Sequence, residues 1–188
     1  PMPETLALTR RCLQIIADRG FGLAIQTKSD CILRDLPLLE RINRQAKCVV
    51  QMTLTTYDED LCRILEPNVS TTRARFEALK IFRDHGIPTV VWISPILPYI
   101  NDTEENLRGL LSYCMEARVK GIVCFGMGLT LRAGNREYFY AQLDRHFPGL
   151  KARYIREFGD SYNVPSPNHD PLMKILRETC RNHQIRCD

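Results

Sequence analysis

The sequence contains no apolar run of the roughly 20 residues needed to cross a bilayer, and no stretch reads as a signal peptide. The expectation is a cytoplasmic protein with no membrane partner. An excess of one charge is also missing. The 188 residues carry 26 Lys/Arg against 22 Asp/Glu, a net charge of +4. The basic residues are scattered, and Leu150 to Asp188 holds seven against five acidic ones. Phosphate-backbone binding needs clustered Lys/Arg, so a nucleic-acid-binding module without chemistry is disfavoured. The eight cysteines (Cys12, Cys31, Cys48, Cys62, Cys114, Cys124, Cys180 and Cys187) form no CxxC pair and no zinc-ligand spacing. Several fall at apolar positions, where a reduced thiol serves as a small hydrophobe. None is a candidate metal ligand. Internal repeats and linker-like stretches are lacking too, so residues 1–188 read as a single domain.

What is present is an alternation of apolar strands and amphipathic helices. Glu4 to Arg19 reads as a helix, with Leu6, Leu13 and Ile16 on one face and Gly20 as its stop. Strands are predicted to start near residues 21, 48, 87 and 121. Each is followed by a helix, and each is a nearly continuous apolar run, as expected when both faces of a parallel sheet are covered. Asp58 opens a short helix, Ser70 and Thr71 are candidate N-caps for the next, and Asp102 with Glu105 reads as a capping box. The reading of 150–188 is an irregular connection followed by a C-terminal helix opened by Asp170-Pro171. The fold class is therefore α/β, a parallel-sheet partial (β/α) barrel. The chain opens on a helix with no strand before it. PMPETL reads as an internal stretch of a longer barrel, the alternative being a removed initiator methionine before Pro1.

The stretch FGLAIQTKSD ends a buried strand in Thr27-Lys28-Ser29-Asp30. In parallel α/β folds the C-terminal rim of the strands is where ligands bind. An ammonium held there suits a carboxylate or phosphate, although a solvated lysine in a strand-to-helix loop accounts for the same residues. The second strand also ends in hydroxyls, Thr53, Thr55 and Thr56, and the third runs into the stiff loop Ser94-Pro95-Ile96-Leu97-Pro98.

The segments TKSDCILRDLPLL, MTLTTYDEDLCRILEPNVSTTRARFEALKIFRDHGIP and SPILPYIND occur in this order and at this spacing. Together they resemble the radical S-adenosylmethionine (SAM) proteins related to spore photoproduct lyase, often labelled DNA repair photolyase-like. The similarity covers about Glu4 to Gly121 well and the rest loosely. It implies a (β/α)6 partial barrel of which this chain supplies the third to sixth strands. It also implies a 4Fe–4S cluster on a CxxxCxxC loop, reductive cleavage of SAM to a 5′-deoxyadenosyl radical, and an electron donor for the cluster. The CxxxCxxC loop is absent from these residues, so the chain as given would bind SAM without being active by itself.

Carried over residue by residue, the resemblance places Lys28 on the SAM carboxylate and Thr53 on a hydroxyl position contacting SAM. Thr55 lies two residues further along the same face. β-Propensity alone accounts equally for both threonines. Pro95, Ile96 and Leu97 map onto the strand end that covers the adenine, or simply stiffen a loop. Glu66-Pro67 reads as a carboxylate bracing the rim by salt bridge, with a catalytic role as the alternative. Met127 reads as core, with packing on the adenine as the alternative, and His85 as a helix cap; Arg132 and Arg136 read as solvated loop residues, with an anionic substrate as the alternative; His146, His169 and His183 show no convergent partners and receive no role. The substrate is unassigned, with a nucleic acid of photolyase type as one expectation. A rival reading is another parallel β/α barrel enzyme, aldolase-like, with Lys28 as a Schiff-base lysine.

Overall fold

A computed structural model of the chain describes residues 3–187. Pro1 and Met2, part of the PMPETL stretch read above as internal, lie outside the described residues, as does Asp188. Helix α1 (Pro3–Asp18) precedes strand β1 (Leu23–Thr27). A 3-10 helix, Asp30–Asp35, leads into α2 (Leu36–Ala46) and β2 (Cys48–Thr53). Then come α3 (Glu59–Leu65), α4 (Thr72–Asp84), β3 (Thr89–Trp92), α5 (Glu104–Glu116) and β4 (Gly121–Val123). From there the chain leaves the β/α rhythm. Strands β5 (Gly128–Thr130) and β6 (Asn163–Pro165) pair antiparallel, with α6 (Asn135–His146) and α7 (Leu150–Phe158) between them. Helix α8 (His169–Asn182) and β7 (Arg186–Cys187) return the chain to the main sheet.

The main sheet is parallel throughout, in the order β1-β2-β3-β4-β7. The helix starts obey local chemistry. Asp58 accepts a hydrogen bond from the Leu61 amide, Thr71 from Ala74, and Thr103 from Asn106, each satisfying an amide that the first turn leaves without a helical partner. Thr103, not Asp102, therefore caps α5. Asp102 is buried instead and joins the rim to the last third of the chain, its two oxygens accepting from the Tyr99 amide (2.7 Å) and the Ser166 hydroxyl (2.6 Å). Asn168, not Asp170, occupies the N-cap of α8, which starts two residues earlier than expected.

Three further sequence expectations need correction. The irregular connection after Gly149 contains α7 and β6. The antiparallel pair β5–β6 and the short fifth parallel strand β7 were not foreseen, because two- and three-residue strands carry no readable periodicity. And the sheet is not covered alike on its two faces. Val50, Met52, Val91 and Ile122 point into the main core with helix residues such as Leu39, Phe76, Leu110 and Leu176. The strand register puts Gln26, Gln51 and Val90 side by side on the opposite face, with Trp92 opposite Thr53. Among these Gln26 is exposed, Gln51, Val90 and Trp92 are half-buried, and none joins the main core. A strand alternates its side chains between faces, so β-branched residues such as Val90 made the runs look continuously apolar while only one face is packed.

A second core holds α6 and α7 against the hairpin, with Leu131, Leu143, Tyr154 and Val164 buried at its centre. It is fastened to the rim loop. The Tyr154 hydroxyl donates to the Pro98 carbonyl (2.8 Å), and the Tyr99 hydroxyl bonds Glu157 while its ring lies 3.5 Å from the Arg153 guanidinium carbon. Gly128 is needed where the hairpin meets the rim. Its φ is +156°, and a Cβ there would sit 2.5 Å from the Val164 carbonyl oxygen.

Candidate functional site

The site begins with the turn after β1. The Thr27 hydroxyl accepts from the Ser29 amide (3.0 Å), and the Ser29 hydroxyl accepts from the Cys31 amide (3.2 Å) and caps the 3-10 helix. Asp30 and Ser70 are joined twice, amide to hydroxyl at 3.0 Å and hydroxyl to carboxylate at 2.7 Å. The polar residues around Lys28 thus spend their hydrogen bonds shaping the turn. The lysine alone is left to reach along the rim.

Its Nζ donates to Glu66 Oε1, and Glu66 Oε2 accepts from Arg75 at 2.7 Å. Arg75 is fully buried and also donates to the Ser70 carbonyl (2.7 Å) and the Thr53 carbonyl (2.8 Å). One guanidinium therefore ties together the end of β2, the loop before α4 and the carboxylate holding Lys28. A planar fork with five N–H donors can do this; a single ammonium cannot. Side-chain exposure falls from Lys28 (38%) through Glu66 (11%) to Arg75 (0%), so the network runs from solvent into the protein. Glu66 braces the rim by salt bridge, as its position before Pro67 suggested. Arg75 went unnoticed. Its signal is a charged residue placed i−4 and i−7 from Leu79 and Phe82, on the apolar stripe of α4.

Two buried amides, also missed, fix the neighbouring strand ends. Asn101 and Asn106 both donate from Nδ2 to the Thr55 carbonyl, at 3.0 and 2.9 Å. Asn101 Oδ1 accepts from the Leu97 amide (2.6 Å), and Asn106 Oδ1 from the Tyr57 amide (2.6 Å). Asn101 was visible as part of SPILPYIND, but a sequence motif does not say which strands an amide will bridge.

A cavity of about 600 Å³ opens over this rim. Lys28, Thr55, Glu66, Pro95 and Leu97 form the wall on the sheet side, and α6 faces them. Four of the six sequence-selected residues thus line one space. The other two stand behind it. Thr53 is 3% exposed, its hydroxyl 3.5 Å from Gln26 Nε2, and Ile96 is 1% exposed within the main core. A second cavity of about 620 Å³ lies on the other side of Pro95, between Phe125, Met127, the hairpin and His169. Phe125 is 80% exposed and stands edge-on to Trp92, whose indole N–H donates to Gln51 (2.6 Å). His169 Nδ1 accepts from the Met127 amide at 3.2 Å. Met127 itself is buried core, as read. Arg136 is neither solvated nor free for an anion, since its guanidinium donates to the carbonyls of Leu131, Gly159, Asp160 and Ser161.

The residues described do not fit an iron–sulfur cluster. Among them no group of three His, Cys, Asp or Glu is placed to hold a metal. Cluster ligands are thiolates, whereas burial pushes the Cys48 thiol up to about 11 and Cys180 to about 12, and raises Cys114 and Cys124 as well. These are neutral core thiols. Nor is any helix long and apolar enough to cross a membrane among the described residues.

No family model matches the chain. The uncharacterized protein Rv2578c of Mycobacterium tuberculosis (strain H37Rv) is 33% identical over 182 residues, covering 97% of this chain and 53% of the relative. Uncharacterized protein MJ0683 of Methanocaldococcus jannaschii is 34% identical over 104 residues, 55% of this chain and 39% of that protein. The chain spans about half the length of the mycobacterial relatives it matches. Among solved structures, a domain of a pyruvate-formate lyase-activating enzyme from Bacteroides vulgatus superposes with a TM-score of 0.60 at 10% identity, covering 98% of this chain and 90% of that one. The radical SAM methyltransferase TsrM from Kitasatospora setae, solved with tryptophan and a SAM analogue, gives 0.55 at 14% identity, covering 94% and 40%. At these identities the likeness is one of fold: the parallel sheet and its helices superpose on those of the two solved proteins.

Proposed function

We propose that this chain is the SAM-binding part of a radical SAM enzyme, with Lys28 as the residue that receives the SAM carboxylate. The observation that carries this reading is a lysine ammonium held at the C-terminal rim of a parallel sheet, beside a cavity large enough for a small-molecule ligand. With SAM bound, one electron from a 4Fe–4S cluster held by residues outside this chain would cleave it to methionine and the 5′-deoxyadenosyl radical that abstracts hydrogen from a substrate.

What the chain's own residues do follows from their placement. Glu66 and Arg75 keep the Lys28 side chain at the cavity wall, so little rotamer freedom remains to be lost on binding. A ligand carboxylate meets the ammonium while Glu66 stays neutralised from behind by Arg75. Pro95 and Leu97 offer an apolar surface to the adenine, and Thr55 a hydroxyl. Thr53 acts through its carbonyl, which anchors Arg75, and Ile96 acts through packing. A Schiff-base role for Lys28 is less well supported, because the amine that would attack a carbonyl is engaged by Glu66. A photolyase-like role in DNA repair is the finer form of the proposal and rests on the sequence resemblance.

In the full-length protein, Lys28→Ala is expected to weaken SAM binding by about tenfold or more, the loss of a charge-assisted contact. Lys80→Ala, on α4 with Glu77 as partner, should leave it nearly unchanged. Calorimetry that returns equal affinities for the two variants would discard the assignment. The DNA branch is checked separately: ultraviolet-damaged DNA that fails to bind the full-length protein at low salt removes that substrate.

A further inference from the structure

Helix α6 is the least buried of the long helices: it buries Leu143 alone, against two residues in α2, four in α8 and six each in α4 and α5. A helix normally covers its apolar stripe with protein. α6 packs Leu143 and Phe139 into the second core, and beside that contact it turns Tyr138, Gln142, Arg145 and His146 toward the cavity over the sheet rim, with Phe139 at the boundary. These positions recur at the three- and four-residue spacing of one helical face. The wall is nonetheless held firmly, because the second core and the Tyr154–Pro98 and Asp102–Ser166 hydrogen bonds fasten it to the rim.

The charge of the cavity lining is one-sided. Lys28, Arg63 and Arg145 are full cations, and Glu66 is the one carboxylate facing them. Glu66 is already met by Lys28 and by Arg75 behind it. Arg63 pairs with Asp60 (2.7 Å) and, more distantly, with Glu59 (4.0 Å), neither of which lines the cavity. Arg145 makes no ion pair with a carboxylate among the described residues. The bland account of Arg145 and His146 is that basic residues suit the last turn of a helix. That account does not explain why both line the same space as Arg63 and Lys28, which come from other elements. Between the charges the lining is apolar, including Ile64, Phe139 and Leu143.

We infer that the α6 side of this cavity is a binding site for an organic anion with an apolar or aromatic body, the substrate of the enzyme proposed above, with Arg145 receiving the anionic group. The inference rests on that proposal for calling the ligand a substrate; the site itself rests on the lining alone. The anion would be a phosphate ester or a carboxylate, since an arginine fork serves both.

The test uses the full-length protein with phenyl phosphate, benzoate and neutral benzyl alcohol as probes, titrated by calorimetry. Both anions should bind at least about tenfold more tightly than benzyl alcohol. Arg145→Glu should lower anion affinity by about tenfold or more, and Arg44→Glu, the same charge change on exposed α2, by less than about twofold. Tighter binding of phenyl phosphate identifies a phosphate ligand, tighter binding of benzoate a carboxylate, and either upholds the site. Equal binding of benzyl alcohol, or equal effects of Arg145→Glu and Arg44→Glu, overturns it. Titrating SAM into the same variants separates the two proposals. SAM binding that depends on Lys28 with anion binding indifferent to Arg145 refutes this site alone. Anion binding that depends on Arg145, with no SAM binding by the unsubstituted protein, refutes the SAM assignment alone.

Discussion

At the residue scale the site is organised by Arg75 more than by Lys28. A buried guanidinium is stable only when its donors and charge are met. Here one carboxylate and two carbonyls meet them, and the same bonds set where Glu66 and therefore Lys28 stand. Removing one partner of a buried pair typically costs about 3–5 kcal/mol. Arg75→Met is expected to destabilise the protein by about 3 kcal/mol, read from urea unfolding midpoints, against less than about 0.5 kcal/mol for Arg44→Met. Arg75→Lys should not restore the loss, because an ammonium cannot span the three acceptors. A loss under about 1 kcal/mol for Arg75→Met would show that the network does not brace the rim.

At the scale of elements, the question is how α6 and α7 are kept over the cavity. Their own core is small, and the covalent chain tethers them only through the hairpin. Tyr154 provides the tie: its ring packs edge-on against Tyr99, Phe139 and Phe158, and its hydroxyl reaches the Pro98 carbonyl. Tyr154→Phe keeps the rings and leaves that carbonyl without its donor, a cost of about 1–2 kcal/mol. The exposed Tyr138→Phe should cost almost nothing. Hydrogen exchange should localise the Tyr154 effect to α6 and α7. Faster exchange spread evenly over the main sheet would mean that the two cores unfold as one unit.

At the scale of the molecule, the sheet has one packed face and one partly open face. The helices bury Val50, Met52, Val91 and Ile122 on one side, while Gln26, Gln51, Val90 and Trp92 line the other. The packed side also contains the buried thiols, whose burial links stability to pH. In the unfolded chain these thiols titrate near the ordinary value of 9.0; folded, Cys48 is pushed up to about 11 and Cys180 to about 12. Between about pH 9 and pH 11 the unfolded state therefore binds fewer protons, and stability falls as pH rises. Below about pH 8 the thiols are protonated in both states and the contribution is level. The urea midpoint should drop from about pH 8 to about pH 10, and Cys48→Val should show a smaller drop. Identical drops would mean that groups other than Cys48 govern alkaline sensitivity.

The sequence by itself determined the β/α alternation, the four main strands and most helix starts. These depend on local spacing: apolar residues at three and four, caps at fixed offsets, glycines at helix ends. It also pointed to Lys28 and to Glu66 as a brace, because a charged residue at the end of an apolar strand or before a proline stands out without reference to distant partners. Tertiary structure decided the rest, for a consistent reason. Arg75 meets Thr53, Asn101 meets Thr55, and Asp102 meets Ser166 across 22, 46 and 64 residues of chain, and no local period encodes such pairs. Which face of the sheet is packed depends on where the helices land, and that choice is invisible in a run of β-branched residues. That α6 turns a basic, weakly buried face toward the cavity also became visible only once the hairpin and Tyr154 had set the helix over the rim.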